Sequence, residues 1–307
     1  MRFGLVGTGF WARTVHATAL ASVPGVSLTA VWGRNPQAAA SLAADFGAAA
    51  YRDVGAFIDA VDAVAFAVPP DVQAPIAIQA AEAGRHLLLE KPVATSAAEA
   101  DKMAAAAESA GIASVVFFTH RFNTEIRAWL TDENARGGWS GGGWSGGTAQ
   151  WLGSALGSGS PFNSPWRREK GGLWDVGPHA VSMLWACLGP VTSVTAVTGG
   201  PDVTHLVLGH TGGASSTATV TISAPAAAAG NSLFVWGEAG RSAMPATQVD
   251  AVPALRTAVS ELTAAAAAGR SRHPCDIQFG RDVVRVLAAA QTQLDAARPG
   301  LDDPPRL

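Results

Sequence analysis

The first twenty residues constrain the fold more than any other stretch. In "MRFGLVGTGFWARTVHATAL" an apolar run leads into Gly7, Gly9 and Ala12, spaced G-x-G-x-x-A, and an apolar segment of helical character follows. Each small residue has a physical task at that spacing. Gly7 permits a tight turn, Gly9 lets a backbone approach a pyrophosphate, and Ala12 allows a helix to pack closely on a strand. The start of that helix offers N–H groups and the positive end of its dipole to phosphate oxygens. As a bare pattern the motif is weak; the strand before it and the helix after it give it meaning.

The alternation continues. Strand-like "VSLTAVW", "VDAVAFAVPP", "HLLLE" and "IASVVFFT" are separated by helix-like "NPQAAASLAADFG", "DVQAPIAIQAAEAG" and "SAAEADKMAAAAESAG". Strands that are apolar throughout, with helices between them, predict a doubly wound parallel sheet covered on both faces. Near the end of the second strand, Gly33 occupies the position where a carboxylate would bind a ribose 2′-hydroxyl, and Arg34 follows. A guanidinium without a competing carboxylate favours NADP(H), with NAD(H) left open. The alternative is that Arg34 stacks on the adenine of either cofactor.

From residue 189 the texture changes to β-branched, alternating runs such as "VTSVTAV", "VTHLVLGH" and "ASSTATVTIS". They predict a mostly antiparallel sheet with one face solvated or shared with another subunit. Two helices, "VPALRTAVSELTAAAAAG" and "DIQFGRDVVRVLAAAQTQLDAA", follow, and the tail "RPGLDDPPRL" reads as loose. The expected fold class is therefore α/β, an N-terminal Rossmann domain over 1–121 and an α+β domain over 122–307, with the helix 276–297 able to pack back on the first domain. "GGWSGGGWSGG" at 137–147 is a near-duplication in which Trp139 and Trp144 would cover a pocket or meet a partner subunit.

With 48% hydrophobic and 15% charged residues the chain has ample core material. A net charge of −3 gives no basic footprint for nucleic acid. No apolar run is long enough to span a bilayer. Two cysteines form no disulfide framework or zinc spacing, and the N-terminus lacks a secretory h-region, so the expectation is a cytoplasmic protein with no metal.

In "GGLWDVGPHA" an acid, Asp175, and an imidazole, His179, stand four residues apart in an apolar run. On one continuous helix that spacing puts both on one face. The pair is open to three readings: a surface hydrogen bond, two metal ligands, or a substrate-facing acid and base.

Together, "GLVGTGFWA", "AVPP", "EKP" at 90–92 and "GGLWDVGPHA" resemble the glucose-fructose oxidoreductase/inositol dehydrogenase/rhizopine-catabolism (Gfo/Idh/MocA) family. The resemblance is dense over 1–125 and 161–188. It implies a homodimer or homotetramer formed through the C-terminal sheet. It implies Lys91 between nicotinamide and substrate hydroxyl, a cis Lys91–Pro92 bond, and Asp175 with His179 as the catalytic D-x-x-x-H pair. Cofactor contacts would come from Gly7, Gly9, Phe10, Trp11, Ala12, Gly33, Arg34, Val68, Pro69, Glu90 and Lys91. Trp166 and Arg167 would touch cofactor or substrate. His120 and Arg121 would line the substrate pocket, though His120 also reads as a structural histidine.

Two departures stand out. Gln73 occupies a position where the family usually has His, and the single tyrosine, Tyr51, lies far from the lysine motif in sequence. The activity implied is hydride transfer between a nicotinamide cofactor and a secondary alcohol or ketone of a sugar, polyol or similar small molecule. The rivals are a redox-neutral enzyme with tightly bound NAD that cleaves glycosides, and a non-catalytic cofactor-binding protein.

Overall fold

The computed structural model describes residues 1–136, 138, 141, 143–200, 202–238 and 240–297. The chain forms two compact units: residues 1–124 with 248–284, and residues 125–247 with 285–297. The chain thus leaves the first unit near residue 124 and returns to it over 248–284.

The first unit begins with β1 (Arg2–Val6), a π-helical turn (Ala12–Ala17) and α1 (Thr18–Ser22). Then come β2 (Ser27–Trp32), α2 (Pro36–Asp45), β3 (Ala49–Tyr51), α3 (Val54–Asp59), β4 (Ala63–Phe66), α4 (Pro70–Glu82), β5 (His86–Leu89), α5 (Ala97–Ser109) and β6 (Ser114–Val116). The six strands are parallel, in the order β3-β2-β1-β4-β5-β6. This is the doubly wound order whose reversal, between β1 and β4, opens a crevice at the carboxyl ends of the strands. Side-chain caps set the helix starts. Asn35 accepts from the backbone N–H groups of Gln37 and Ala38, Asp53 from Ala56, and Ser96 from Glu99.

The second unit contains α6 (Thr124–Ala135), β7 (Gly146–Leu152), α7 (Pro165–Asp175), α8 (Gly177–Leu188), β8 (Val191–Thr198), β9 (Thr204–His210), β10 (Ser215–Thr221), β11 (Gly230–Gly237) and β12 (Gly240–Ala243). Its sheet runs β12-β11-β7-β10-β9-β8 and is antiparallel except where β10 pairs with β7. Helix α8 packs on β7 and β10, and α7 on β10. Val197, Val207 and Trp236 remain exposed. Trp144 is buried, and Trp139 and the tail 298–307 lie outside the described residues.

The last two helices are α9 (Ala251–Ala267) and α10 (Ile277–Ala297). α9 packs in the first unit against α1, β5 and β6, burying Leu255, Val259 and Leu262. No helix among the described residues is long and apolar enough to cross a membrane.

Candidate active site

In the first unit the glycine turn follows β1. Gly7 has φ +128°, and a Cβ there would stand 2.5 Å from the carbonyl oxygen of Ala67, so only glycine fits. Gly9 is exposed, and a Cβ on it would meet nothing within 4 Å. That open backbone, at the carboxyl end of a parallel strand, fits the approach of a pyrophosphate. Ala12 is buried where the helix packs down, in a π-helical turn of a kind common at functional sites. Phe10 is exposed beside the turn.

Gly33 follows β2, and a Cβ on it would be 2.6 Å from Thr8 Cγ2. A side chain at this position would have to displace the Thr8 side chain, and Arg34 is exposed next to it. Val68 and Pro69 are half-buried after β4, with Pro69 at the start of α4.

The loop after β5 carries Glu90, Lys91 and a cis peptide bond to Pro92. A side chain of α4 braces it. The Gln73 amide is fully buried on α4; its Nε2 donates to the carbonyls of Glu90 (2.9 Å) and Val93 (3.1 Å), and its Oε1 accepts from Glu90 N–H (2.8 Å). The residue that departs from the family pattern thus holds the lysine loop in place.

The Glu90 carboxylate faces the other way. Its Oε1 accepts from Trp11 Nε1 at 2.7 Å and lies 2.9 Å from His16 Nε2. Trp11, expected at the cofactor, thereby ties the glycine turn to the lysine loop. His16 is fully buried. The loop after β6 brings His120 near Lys91. Burial, with a further push from the Lys91 charge, lowers its imidazole to about 4, so it is neutral at physiological pH. Arg121 lies over the Phe279 ring, 5.6 Å from its centroid.

In the second unit, Asp175 and His179 are both buried but do not share one continuous helix. Asp175 ends α7, Val176 intervenes, and His179 sits in the first turn of α8 behind Gly177 and Pro178. Proline near a helix start is the local reason for the break. The Asp175 carboxylate accepts from Arg167 Nε at 2.8 Å, and Arg167 Nη1 donates to the Phe162 carbonyl. Arg167 also lies over the Trp166 ring. So Arg167, expected at cofactor or substrate, is placed on the acid.

Within α7 the backbone breaks at Gly171, with φ +66° and ψ −166°, and helix resumes at Gly172. Gly172 N–H donates to Asp202 Oδ1 at 2.7 Å. Asp202 carried no signal in the sequence, because its partners among the described residues are distant along the chain.

The remaining histidines have structural partners: His86 with Ala113 N–H, His205 with Thr219, His210 with Gly189 and Ser216, and His273 with Glu261. Among the described residues no three His, Cys, Asp or Glu side chains group as metal ligands.

Comparisons with known proteins agree with this architecture. Residues 1–118 match the model of an oxidoreductase family with an NAD-binding Rossmann fold, GFO_IDH_MocA, and residues 147–243 match the GFO/IDH/MocA C-terminal domain. Glucose-6-phosphate 3-dehydrogenase of Bacillus subtilis is 29% identical over 201 residues, covering 60% of this chain and 53% of that protein. Levoglucosan dehydrogenase of Pseudarthrobacter phenanthrenivorans is 31% identical over 217 residues, covering 64% and 53%. The matched stretch thus spans about half the length of these curated relatives. The crystal structure of GenD2 from gentamicin A biosynthesis, in complex with NAD, superposes with a TM-score of 0.83 at 22% identity, over 97% of this chain and 95% of that one. With both its sheets accounted for by the two models, the chain belongs to the Gfo/Idh/MocA oxidoreductase family.

Proposed function

We propose that the protein is a nicotinamide-dependent oxidoreductase that transfers a hydride between its cofactor and a secondary alcohol or ketone of a sugar, polyol or similar small molecule. The observation that carries this reading lies in the first unit. The open glycine turn after β1 and the braced Lys91 loop after β5 stand at carboxyl ends of strands in one parallel sheet, where ligands of such folds bind. The two curated relatives described above are both dehydrogenases named for sugar substrates.

The nicotinamide ring supplies the hydride chemistry when the cofactor is bound. The chain's own side chains supply the rest. Gly7, Gly9, Phe10, Trp11 and Ala12 form the diphosphate turn, and Val68, Pro69 and Glu90 belong to the same cofactor set. Lys91 stabilises negative charge on the carbinol oxygen, as a fixed donor at a developing oxyanion does. His179 accepts or returns the hydroxyl proton, because imidazole is the side chain that exchanges a proton near neutral pH. Asp175, fixed by Arg167, orients substrate or imidazole. His120 and Arg121 belong to the substrate set.

For cofactor choice we favour NADP(H). Gly33 and the exposed Arg34 leave a cation and no carboxylate at the ribose position. We further propose a cytoplasmic homo-oligomer joined through the second sheet, whose exposed Val197, Val207 and Trp236 favour burial against a second copy.

The test is a sugar and polyol panel read at the absorbance of reduced nicotinamide, with NAD and NADP in parallel. His179→Ala should abolish turnover and keep cofactor binding. Arg34→Ala should cut kcat/KM for NADP about tenfold and leave NAD unchanged. Failure of every alcohol and ketone with both cofactors, beside cleavage of a glycoside by protein that retains its cofactor through dialysis, would replace this reading with the redox-neutral one.

A further inference from the structure

Asp202 lies in the short connection between β8 and β9, and the chemistry proposed above gives it no task. Its carboxylate nevertheless accepts three hydrogen bonds. Oδ1 takes Gly172 N–H at 2.7 Å; Oδ2 takes Ile222 N–H at 2.7 Å and the Thr221 hydroxyl at 3.0 Å. One acid therefore links the point where α7 resumes to the end of β10.

That point is the least constrained in the segment. Gly171 and Gly172 stand in series, and glycine backbones have the most freedom to lose. Both glycines are nevertheless required. Gly171 has positive φ, and a Cβ there would come within 2.5 Å of Asp202 Oδ1. A Cβ on Gly172 would come within 2.5 Å of Thr221 Cα. A helix start is ordinarily capped by the side chain just before it, and here that residue has none. The cap comes instead from a residue 30 positions further on. The resumed turn, Gly172 to Asp175, carries the acid at its end, and Val176 N–H bonds back to the Gly172 carbonyl. His179 N–H in turn bonds to the Val176 carbonyl.

We infer that Asp202 is a positioning residue for Asp175 and His179, acting through the capped Gly171–Gly172 break. The inference rests on the reading that these two side chains serve proton transfer. Removing the carboxylate strands two backbone N–H groups and frees the turn to rotate at its glycines, so both side chains lose their fixed placement while the sheet behind them stays.

The experiment uses the full chain labelled at histidine ¹³Cε1, with the His179 line assigned by its loss in His179→Gln. In Asp202→Ala the His179 line should broaden and its titration midpoint move by about half a pH unit or more, while His86 and His210 hold theirs. Asp202→Asn, which keeps one acceptor, should fall between. With the best panel sugar, kcat should drop about tenfold and KM change less than about twofold. An unmoved His179 line overturns the inference, as does a common shift of all histidine lines, which would mark a purely structural role. Full turnover by His179→Ala, with the His179 line of Asp202→Ala displaced, would instead sink the catalytic reading and leave the positioning intact.

Discussion

Arg167 Nε stands 2.8 Å from Asp175 Oδ2, the two residues belonging to opposite sides of the break in α7. The acid is nearly inaccessible, its side chain 6% exposed against 20% for the guanidinium. A carboxylate so placed needs its partner, since leaving a buried acceptor charge without one costs more than the bond itself contributes. Arg167→Ala should lower stability by about 1–3 kcal/mol in urea unfolding and reduce kcat at least about tenfold. Equal kcat in the folded variant would separate the pair from turnover.

The two motif glycines should behave differently. Gly7→Ala forces a Cβ against the Ala67 carbonyl at positive φ and should cost about 1–3 kcal/mol. Gly9→Ala meets open space, so stability should stay within about 0.5 kcal/mol. Its added methyl lies where the diphosphate approaches, and cofactor affinity should fall about tenfold. Tryptophan fluorescence titration beside urea unfolding reads both effects; a Gly9→Ala protein that binds cofactor normally would place the diphosphate elsewhere.

Gln73→Leu keeps the bulk of the side chain and deletes its amide. Glu90 N–H and two loop carbonyls lose their partner, and stability should fall by about 2–4 kcal/mol. Because the same bonds hold the loop bearing Lys91, kcat should drop in the protein that remains folded. Unchanged kcat there would mean that other contacts set the loop.

His120 gives a pH signature. Its folded imidazole is pushed down to about 4, against an ordinary value near 6.5, first by burial and then by Lys91. Below the unfolded value the unfolded chain binds a proton that the folded chain refuses. The contribution is therefore intact above about pH 6.5 and is lost as pH falls toward 4. Between pH 7 and pH 5 the wild type should lose about 2 kcal/mol from this residue, and His120→Asn should not. Urea midpoints at both pH values test this; parallel losses in the two proteins would refute it.

The parallel sheet was legible because apolar runs and helical stretches alternate without interruption as far as β6. The short elements were not. β3 has three residues with an exposed or half-exposed pattern, and α3 has six residues, too few for a period to show. The pairing of Asp175 with His179 was read from spacing as one helix face, whereas Gly177–Pro178 marks a helix start between them. Gly171 needed its φ to be seen as a break. Gln73 was visible only as an oddity, since its bracing role depends on a loop 17 to 20 residues away. Asp202 reaches partners 19 to 30 residues distant, which no local pattern encodes.

The return of segment 248–284 to the first unit bears on how such a gene can be rearranged. A fragment stopped at residue 124 would keep all six parallel strands yet lose α9, uncovering a stripe that Leu255, Val259 and Leu262 otherwise close. Such a fragment should aggregate. The middle of the chain behaves as a cassette inserted into its host rather than a module appended to it. Grafting a relative's second unit therefore calls for three splice points, near residues 124, 247 and 284, and a one-cut chimaera inherits a flayed sheet.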